Sequence, residues 1–240
     1  MFEKVIKILS RTLAAIVVFL LVDGFYLSQK GFVFENGRIF LATEVQAAEK
    51  QQEEPKNIDT TAFQMDLPFV LGNENAPVTI YEFSSLGCTH CADFHLDTLP
   101  KIKKDFIENG KVKVVFAEFP IDSKSMKAAM LARCMPKDKY FDFLSMLFKK
   151  QLSWGLSFKT EKILASYAEV EGMPVEDANA CMNNNAIASE IMYVRQQAME
   201  KLGIMATPSF LVRSAKGEEL ITGAPSYEAL SNLINNFLAD

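Results

Sequence analysis

Four of the six cysteine and histidine side chains in this 240-residue chain fall within residues 88–95, as Cys88, His90, Cys91 and His95. Cys88-Thr89-His90-Cys91 places two thiols two residues apart, close enough for the second to reach back to the first. The chemistry of such a pair is thiol–disulfide exchange. A thiolate attacks a disulfide sulfur, a mixed disulfide forms, and a neighbouring thiol resolves it. A c-type haem site needs histidine directly after the second cysteine, and residue 92 is alanine. A zinc site could draw on Cys88, Cys91 and His95, but both histidines lie in this one stretch, so none is left to complete the set from a second segment. A module that holds peptides or metal without redox turnover is the alternative from another functional class.

The elements around the pair decide between these chemistries. Val78-Thr79-Ile80-Tyr81-Glu82-Phe83 follows a Gly72–Pro77 turn region and reads as a buried strand. A helix is expected next, with Ala92, Leu96, Leu99, the stem of Lys103 and Phe106 on one face, a kink at Pro100 and a stop at Asn109-Gly110. Val112, Val114, Val115 and Phe116 make a second strand, giving a βαβ unit. Residues 124–205 read as helical, with stripes at Tyr140, Phe141, Leu144, Leu147 and Phe148, and at Ile163, Leu164, Tyr167, Ala168 and Val170. Phe210-Leu211-Val212 and Leu220-Ile221 flank Ala215-Lys216-Gly217 as a hairpin, and Tyr227, Leu230, Leu233, Ile234 and Phe237 form a closing amphipathic helix. The fold class is therefore α/β, in the order βαβ, helical block, ββα. Cys88 falls where the first strand gives way to the first helix. Unpaired backbone N–H groups and the helix dipole there favour a thiolate, with His90 as a second cationic or hydrogen-bonding influence. A disulfide whose reduced form is stabilised in this way oxidises other thiols.

The N-terminus bears on the redox compartment. Lys4, Lys7 and Arg11 precede the apolar run Leu13–Val22, which Asp23-Gly24 ends. Residues 1–23 read as a signal peptide or a short uncleaved anchor, since the run falls short of the roughly 20 residues a spanning helix needs. The one small-x-small site nearby, Val45-Gln46-Ala47, lies well downstream. Either reading exports the chain to where cysteines can be oxidised. Residues 24–57 read as a tether; Leu41, Val45 and Ala48 at helical spacing offer a self-associating helix, and hence a homo-oligomer, as the second reading. Residues 58–240 form the folded body. The composition, 49% hydrophobic and 23% charged with net charge −5, excludes a disordered chain and disfavours nucleic acid as partner.

Leu71-Gly72-Asn73-Glu74-Asn75-Ala76-Pro77-Val78-Thr79-Ile80-Tyr81-Glu82-Phe83, Cys88-Thr89-His90-Cys91, Phe119-Pro120 and Gly203-Ile204-Met205-Ala206-Thr207-Pro208-Ser209-Phe210, in this order and spacing, resemble the DsbA-like thiol:disulfide oxidoreductases over about residues 60–240. The resemblance implies a thioredoxin fold with a helical domain inserted at about residues 122–202. It implies that Cys88 is the nucleophile and Cys91 the resolving cysteine. It implies that Thr207-Pro208, just after Met205, is a cis-proline loop facing the dithiol and binding extended substrate by strand addition. It implies that Glu82 is an acid beneath the dithiol, relaying a proton to or from Cys91; by residue pattern alone Glu82 could instead point outward from an edge strand. Thr89 stands where the best-known oxidases have proline, which leaves oxidase against isomerase or reductase to other evidence. No cofactor is implied, because the dithiol carries the electrons. The implied partners are unfolded or partly folded cysteine-containing exported proteins and a membrane redox partner in the periplasm, DsbB-like for an oxidase and supplying reductant for an isomerase. Cys134 and Cys181, both in the helical block, complete an even count and suggest a structural disulfide, with two free thiols or a second redox role as the other readings.

Overall fold

The computed structural model describes residues 32–35, 38–41 and 67–239, which fall in two units, Met1–Asn57 and Ile58–Asp240. In the first, strands β1 (Phe32–Glu35) and β2 (Arg38–Leu41) pair antiparallel, with Glu35 opposite Arg38 and Phe32 opposite Leu41. Leu41 therefore lies in a strand, not in the helix its spacing to Val45 and Ala48 offered. The runs on either side of Asn36-Gly37 are rich in β-branched and aromatic residues, and that pattern outweighs the helical spacing. Val45, Ala48 and the apolar run Leu13–Val22 lie outside the described residues.

The second unit is built on a mixed five-stranded sheet in the order β3-β5-β4-β6-β7. β4 (Val78–Ser84) runs parallel to β5 (Val112–Glu118) and antiparallel to β6 (Ser209–Ser214). β7 (Gly217–Thr222) closes one edge as the second arm of a hairpin with β6. A two-residue strand not anticipated from the sequence, β3 (Val70–Leu71), closes the other edge antiparallel to β5. β4 is thus an interior strand.

Side chains alternate across the strands. Val78 and Ile80 of β4, Val112 and Val114 of β5 and Phe210 and Val212 of β6 face one way. They pack on Phe94, Leu99, Ile102 and Phe106 of the helix that follows β4, α1 (residues 89–107), and on Leu230 and Ile234 of α8 (Tyr227–Leu238). Phe83, Val115, Ala117 and Leu211 face the other way, onto Val194, Ala198 and Leu202 of α7 (Asn185–Leu202).

α1 spans 89–107 and is not a uniform α-helix. α-Helical turns at Thr89–Asp93 and Leu99–Ile102 alternate with π-helical stretches at Phe94–Thr98 and Lys103–Ile107. Each wider turn shifts the phase of the buried face, so Leu96 and Lys103, expected inward at regular spacing, are exposed while Phe94, His95 and Ile102 are buried. The irregular stretch also replaces the simple kink expected at Pro100. The helix stops at Gly110, at φ +70°.

The insert is made of α2 (Ser123–Arg133), α3 (Tyr140–Lys149), α4 (Gln151–Gly155), α5 (Thr160–Val170), α6 (Val175–Met182) and the first part of α7. Asp122 and Ser125 form a capping box that starts α2. The core of the insert holds Leu131, Phe143, Leu144, Leu147, Phe148, Trp154 and Leu164, and it reaches the sheet through Phe116 and α1 through Cys91. Val170, expected in the α5 stripe, is 84% exposed at the end of that helix.

Candidate functional site

Cys88 is the N-cap of α1, with extended backbone (φ −92°, ψ 124°), and is half-buried; Cys91 is fully buried, and both thiols are free. The Cys88 thiol donates to the Thr207 carbonyl at 3.3 Å, and the Thr207–Pro208 peptide bond is cis. Two segments more than a hundred residues apart thus meet at the nucleophile. Gly203, at φ +64°, ends α7 and turns the chain into this loop. Pro208 is buried and Met205 is 75% exposed at the rim.

The two thiols titrate in opposite directions. Cys88 is lowered from 9.0 to about 5: the Cys91 thiol donates to its thiolate, and the Thr207 side chain and the backbone N–H groups of Cys91 and His90 add to this. Burial pushes Cys91 far above the usual thiol range, and the neighbouring Cys88 thiolate pushes it further. The result is one anionic, accessible sulfur and one protonated, sequestered sulfur. Thr89 and His90 are exposed on the first turn of α1, and His90 lies 3.6 Å from Asp93. His90 acts on Cys88 through its backbone N–H.

Glu82 is fully buried on the interior strand β4, which excludes the outward edge-strand reading. Neither carboxylate oxygen has a hydrogen-bond partner, and burial raises the group from 4.5 to about 8; the nearby Ser84 hydroxyl offsets part of that rise. By strand alternation Glu82 shares its face with Val78, Ile80 and Ser84, the face on which α1 packs. Its carboxyl is therefore protonated at neutral pH and lies on the side of the sheet that carries the dithiol.

His95 does not join the cysteines as a metal ligand. Its ring is buried against Phe148, at 4.7 Å between centroids, with Nε2 3.0 Å from the Ser145 hydroxyl. Burial lowers it to about 4, so it is neutral. Among the described residues no three His, Cys, Asp or Glu side chains gather to hold a metal. Cys134 and Cys181 are bonded, joining the end of α2 to α6 with Cα atoms 6.3 Å apart.

Two features around the site were not singled out from the sequence. Gln151 of α4 donates to the carbonyls of Leu86 (2.7 Å) and Cys88 (2.9 Å), clamping the insert onto the loop before the nucleophile. Nothing in a lone glutamine within a helical stretch signals this. The second is a buried ion pair. Arg133 grips Glu118 at 2.7 and 2.8 Å, Tyr140 donates to the same carboxylate at 3.1 Å, and Arg133 also reaches Glu190. Its one sequence signal is a carboxylate ending strand β5, whose other residues are apolar except Lys113. The pair joins β5, beside β4, to α2 and α3 of the insert, next to Cys134.

A family model described as thioredoxin matches residues 65–236. A putative protein-disulfide oxidoreductase of Rickettsia felis is 28% identical over 193 residues, which is 80% of this chain and 68% of that protein. Disulfide bond formation protein D of Bacillus subtilis is 29% identical over 174 residues, 70% of this chain and 76% of that protein. The crystal structure of Wolbachia pipientis alpha-DsbA1 superposes with a TM-score of 0.64 at 30% identity, covering 72% of this chain and 93% of that one. BdbD from B. subtilis gives 0.63 at 28% identity, covering 71% and 92%.

Proposed function

The chain belongs to the thioredoxin family, in its DsbA-like group of protein-disulfide oxidoreductases, and from that membership we propose that it runs in the oxidising direction on exported proteins. A substrate thiolate attacks Cys88 of the Cys88–Cys91 disulfide, and Cys91 leaves and takes up a proton. A second substrate thiol then attacks the substrate sulfur of the mixed disulfide, releasing the Cys88 thiolate and a substrate disulfide. Two electrons pass from substrate to the dithiol, and one proton stays with it, on Cys91, because Cys88 is released as the thiolate.

The observation that carries this direction is the lowering of Cys88 to about 5, from 9.0. At pH 7 a thiol so lowered is almost wholly ionised, which favours the reduced form. Half-exposed, it keeps about half of the unscreened effect, roughly 1.4 kcal/mol, or about 30 mV toward oxidising potential. The exposed Met205 and the Thr207 backbone border the nucleophile and suit an extended, apolar substrate strand. Lys4, Lys7 and Arg11 before Leu13–Val22 support export, with the dithiol reoxidised by a DsbB-like membrane partner.

The oxidised protein, mixed in equal amount with a reduced unfolded two-cysteine peptide, is expected to yield the peptide disulfide and two free thiols at Cys88 and Cys91. Cys88→Ser is expected to yield neither. Retention of the peptide dithiol, together with faster reshuffling of a scrambled multi-disulfide protein by the reduced form, would assign an isomerase instead. Export is tested by fusing a reporter enzyme that needs its own disulfides after residue 240; an inactive reporter would place the body in the cytoplasm.

A further inference from the structure

We propose that the Ser84 hydroxyl carries the proton between the Glu82 carboxyl and the Cys91 thiol. This rests on the exchange reaction above and concerns how the buried sulfur gains and loses its proton. Glu82 and Ser84 are two apart on β4, so both point to the face on which α1 packs, with Ser84 one pleat nearer the strand end that leads to the dithiol. Glu82, Ser84 and Cys91 are each at most 1% exposed, so water does not reach this line from outside.

The Ser84 hydroxyl has no hydrogen-bond partner in the dithiol form, and neither has the Glu82 carboxyl. Yet Ser84 lies near enough to both the Glu82 carboxyl and the Cys91 thiol to favour the anionic form of each. A buried hydroxyl without a settled bond is costly, and an alanine here would avoid that cost. A group that both donates and accepts, placed between an acid and a sulfur that must change protonation, has a use for that freedom.

In the oxidising cycle the Cys88–Cys91 bond breaks as the substrate sulfur bonds to Cys88, and the electron pair leaves with Cys91 sulfur. Ser84 gives its proton to that sulfur and takes one from Glu82, which becomes a carboxylate in that step and, raised to about 8 in the dithiol form, regains a proton before the next turnover. On reoxidation Glu82 first gives that proton up, and the proton leaving Cys91 returns through Ser84 to the carboxylate. Glu118 on β5, held by Arg133, and Tyr140 on α3 are the other polar groups facing this region, with Cys88 on α1; the Tyr140 hydroxyl is committed to Glu118.

The test is the single-turnover reduction of the oxidised full chain by glutathione, with the rate expressed per glutathione thiolate. In the wild type this rate is expected to fall as pH rises through about 8, where Glu82 ionises. Ser84→Ala is expected to lower the rate at pH 7 by about 100-fold, the low end for a general acid, and to abolish the fall. Glu82→Gln should match it, the double variant should be no slower than either single, and Ser84→Thr, which keeps the hydroxyl, should restore rate and fall alike. A Ser84→Ala protein within two-fold of wild type overturns the proposal. So does one that is slowed but keeps the fall near pH 8, because that marks packing alone. If Ser84→Ala does not fold, the dependence of the wild-type rate on deuterium fraction decides: a curved dependence reports two protons in flight, and a linear one overturns the relay. A wild type that glutathione does not reduce at all would contradict the exchange reading itself.

Discussion

Glu82→Gln isolates a buried acid in a near-isosteric background, and the expected stability change follows from one environment. The carboxyl has no hydrogen-bond partner and is raised from 4.5 to about 8, chiefly by burial. Between those values the unfolded chain releases a proton that the folded chain keeps. Stability from this group is therefore complete below about pH 4.5 and is lost as pH rises toward 8. The full gap corresponds to a loss on the order of 5 kcal/mol, of which about 3 kcal/mol is incurred by pH 7. Glutamine does not titrate. Urea unfolding of both reduced proteins at matched pH should show the variant gaining about 3 kcal/mol on the wild type between pH 4.5 and pH 7, with every other titrating group common to the two. A difference that stays flat within about 0.5 kcal/mol over that range would refute the buried-acid reasoning.

Iodoacetamide should modify Cys88 with a midpoint near pH 5 and leave Cys91 untouched in the folded protein; a Cys88 midpoint near 9 would remove the thiolate argument. Replacing both Cys134 and Cys181 by alanine should cost about 4 kcal/mol, the chain-entropy value for a loop with a sequence separation of 47, measured by denaturation with the dithiol kept reduced. Arg133→Met should cost about 3–5 kcal/mol because it leaves the Glu118 carboxylate buried without its partner, and Arg133→Met with Glu118→Gln should recover most of that loss. Below pH 6.5 stability should fall as His95, held neutral to about 4 in the fold, gains a proton in the unfolded chain; His95→Phe should flatten that limb of the urea-against-pH profile.

Much of the molecule is legible in its residue pattern because the relevant signals are local. The apolar strand Val78–Phe83, the dithiol directly after it and Gly110 closing the helix place Cys88 at a helix N-terminus by sequence alone. The parallel partner Val112–Glu118 covers one side of β4; the pairing of β6 on the other side, which has no local signal, is what makes β4 interior and buries Glu82. What could not be read is of two kinds. Periodicity assumes a constant turn, so the π-helical stretches of α1 moved Leu96 and Lys103 off the buried face without any sequence cue. Polar pairing over long separations leaves no local trace. Glu118 with Arg133, Gln151 with the Cys88 carbonyl, and His95 with Ser145 instead of a metal all come from tertiary packing. The β1–β2 pair differs in having a local signal, Asn36-Gly37 between β-prone runs, which at Leu41 outweighs the helical spacing to Val45 and Ala48.

The equilibrium of the Cys88–Cys91 pair with a glutathione redox buffer at pH 7 tests the proposed direction most directly. A thiolate stabilised at Cys88 and a disulfide that oxidises substrates predict a potential more oxidising than about −200 mV. A value near about −270 mV, in the range of reducing dithiols, would contradict it and make the chain a reductant of disulfides instead.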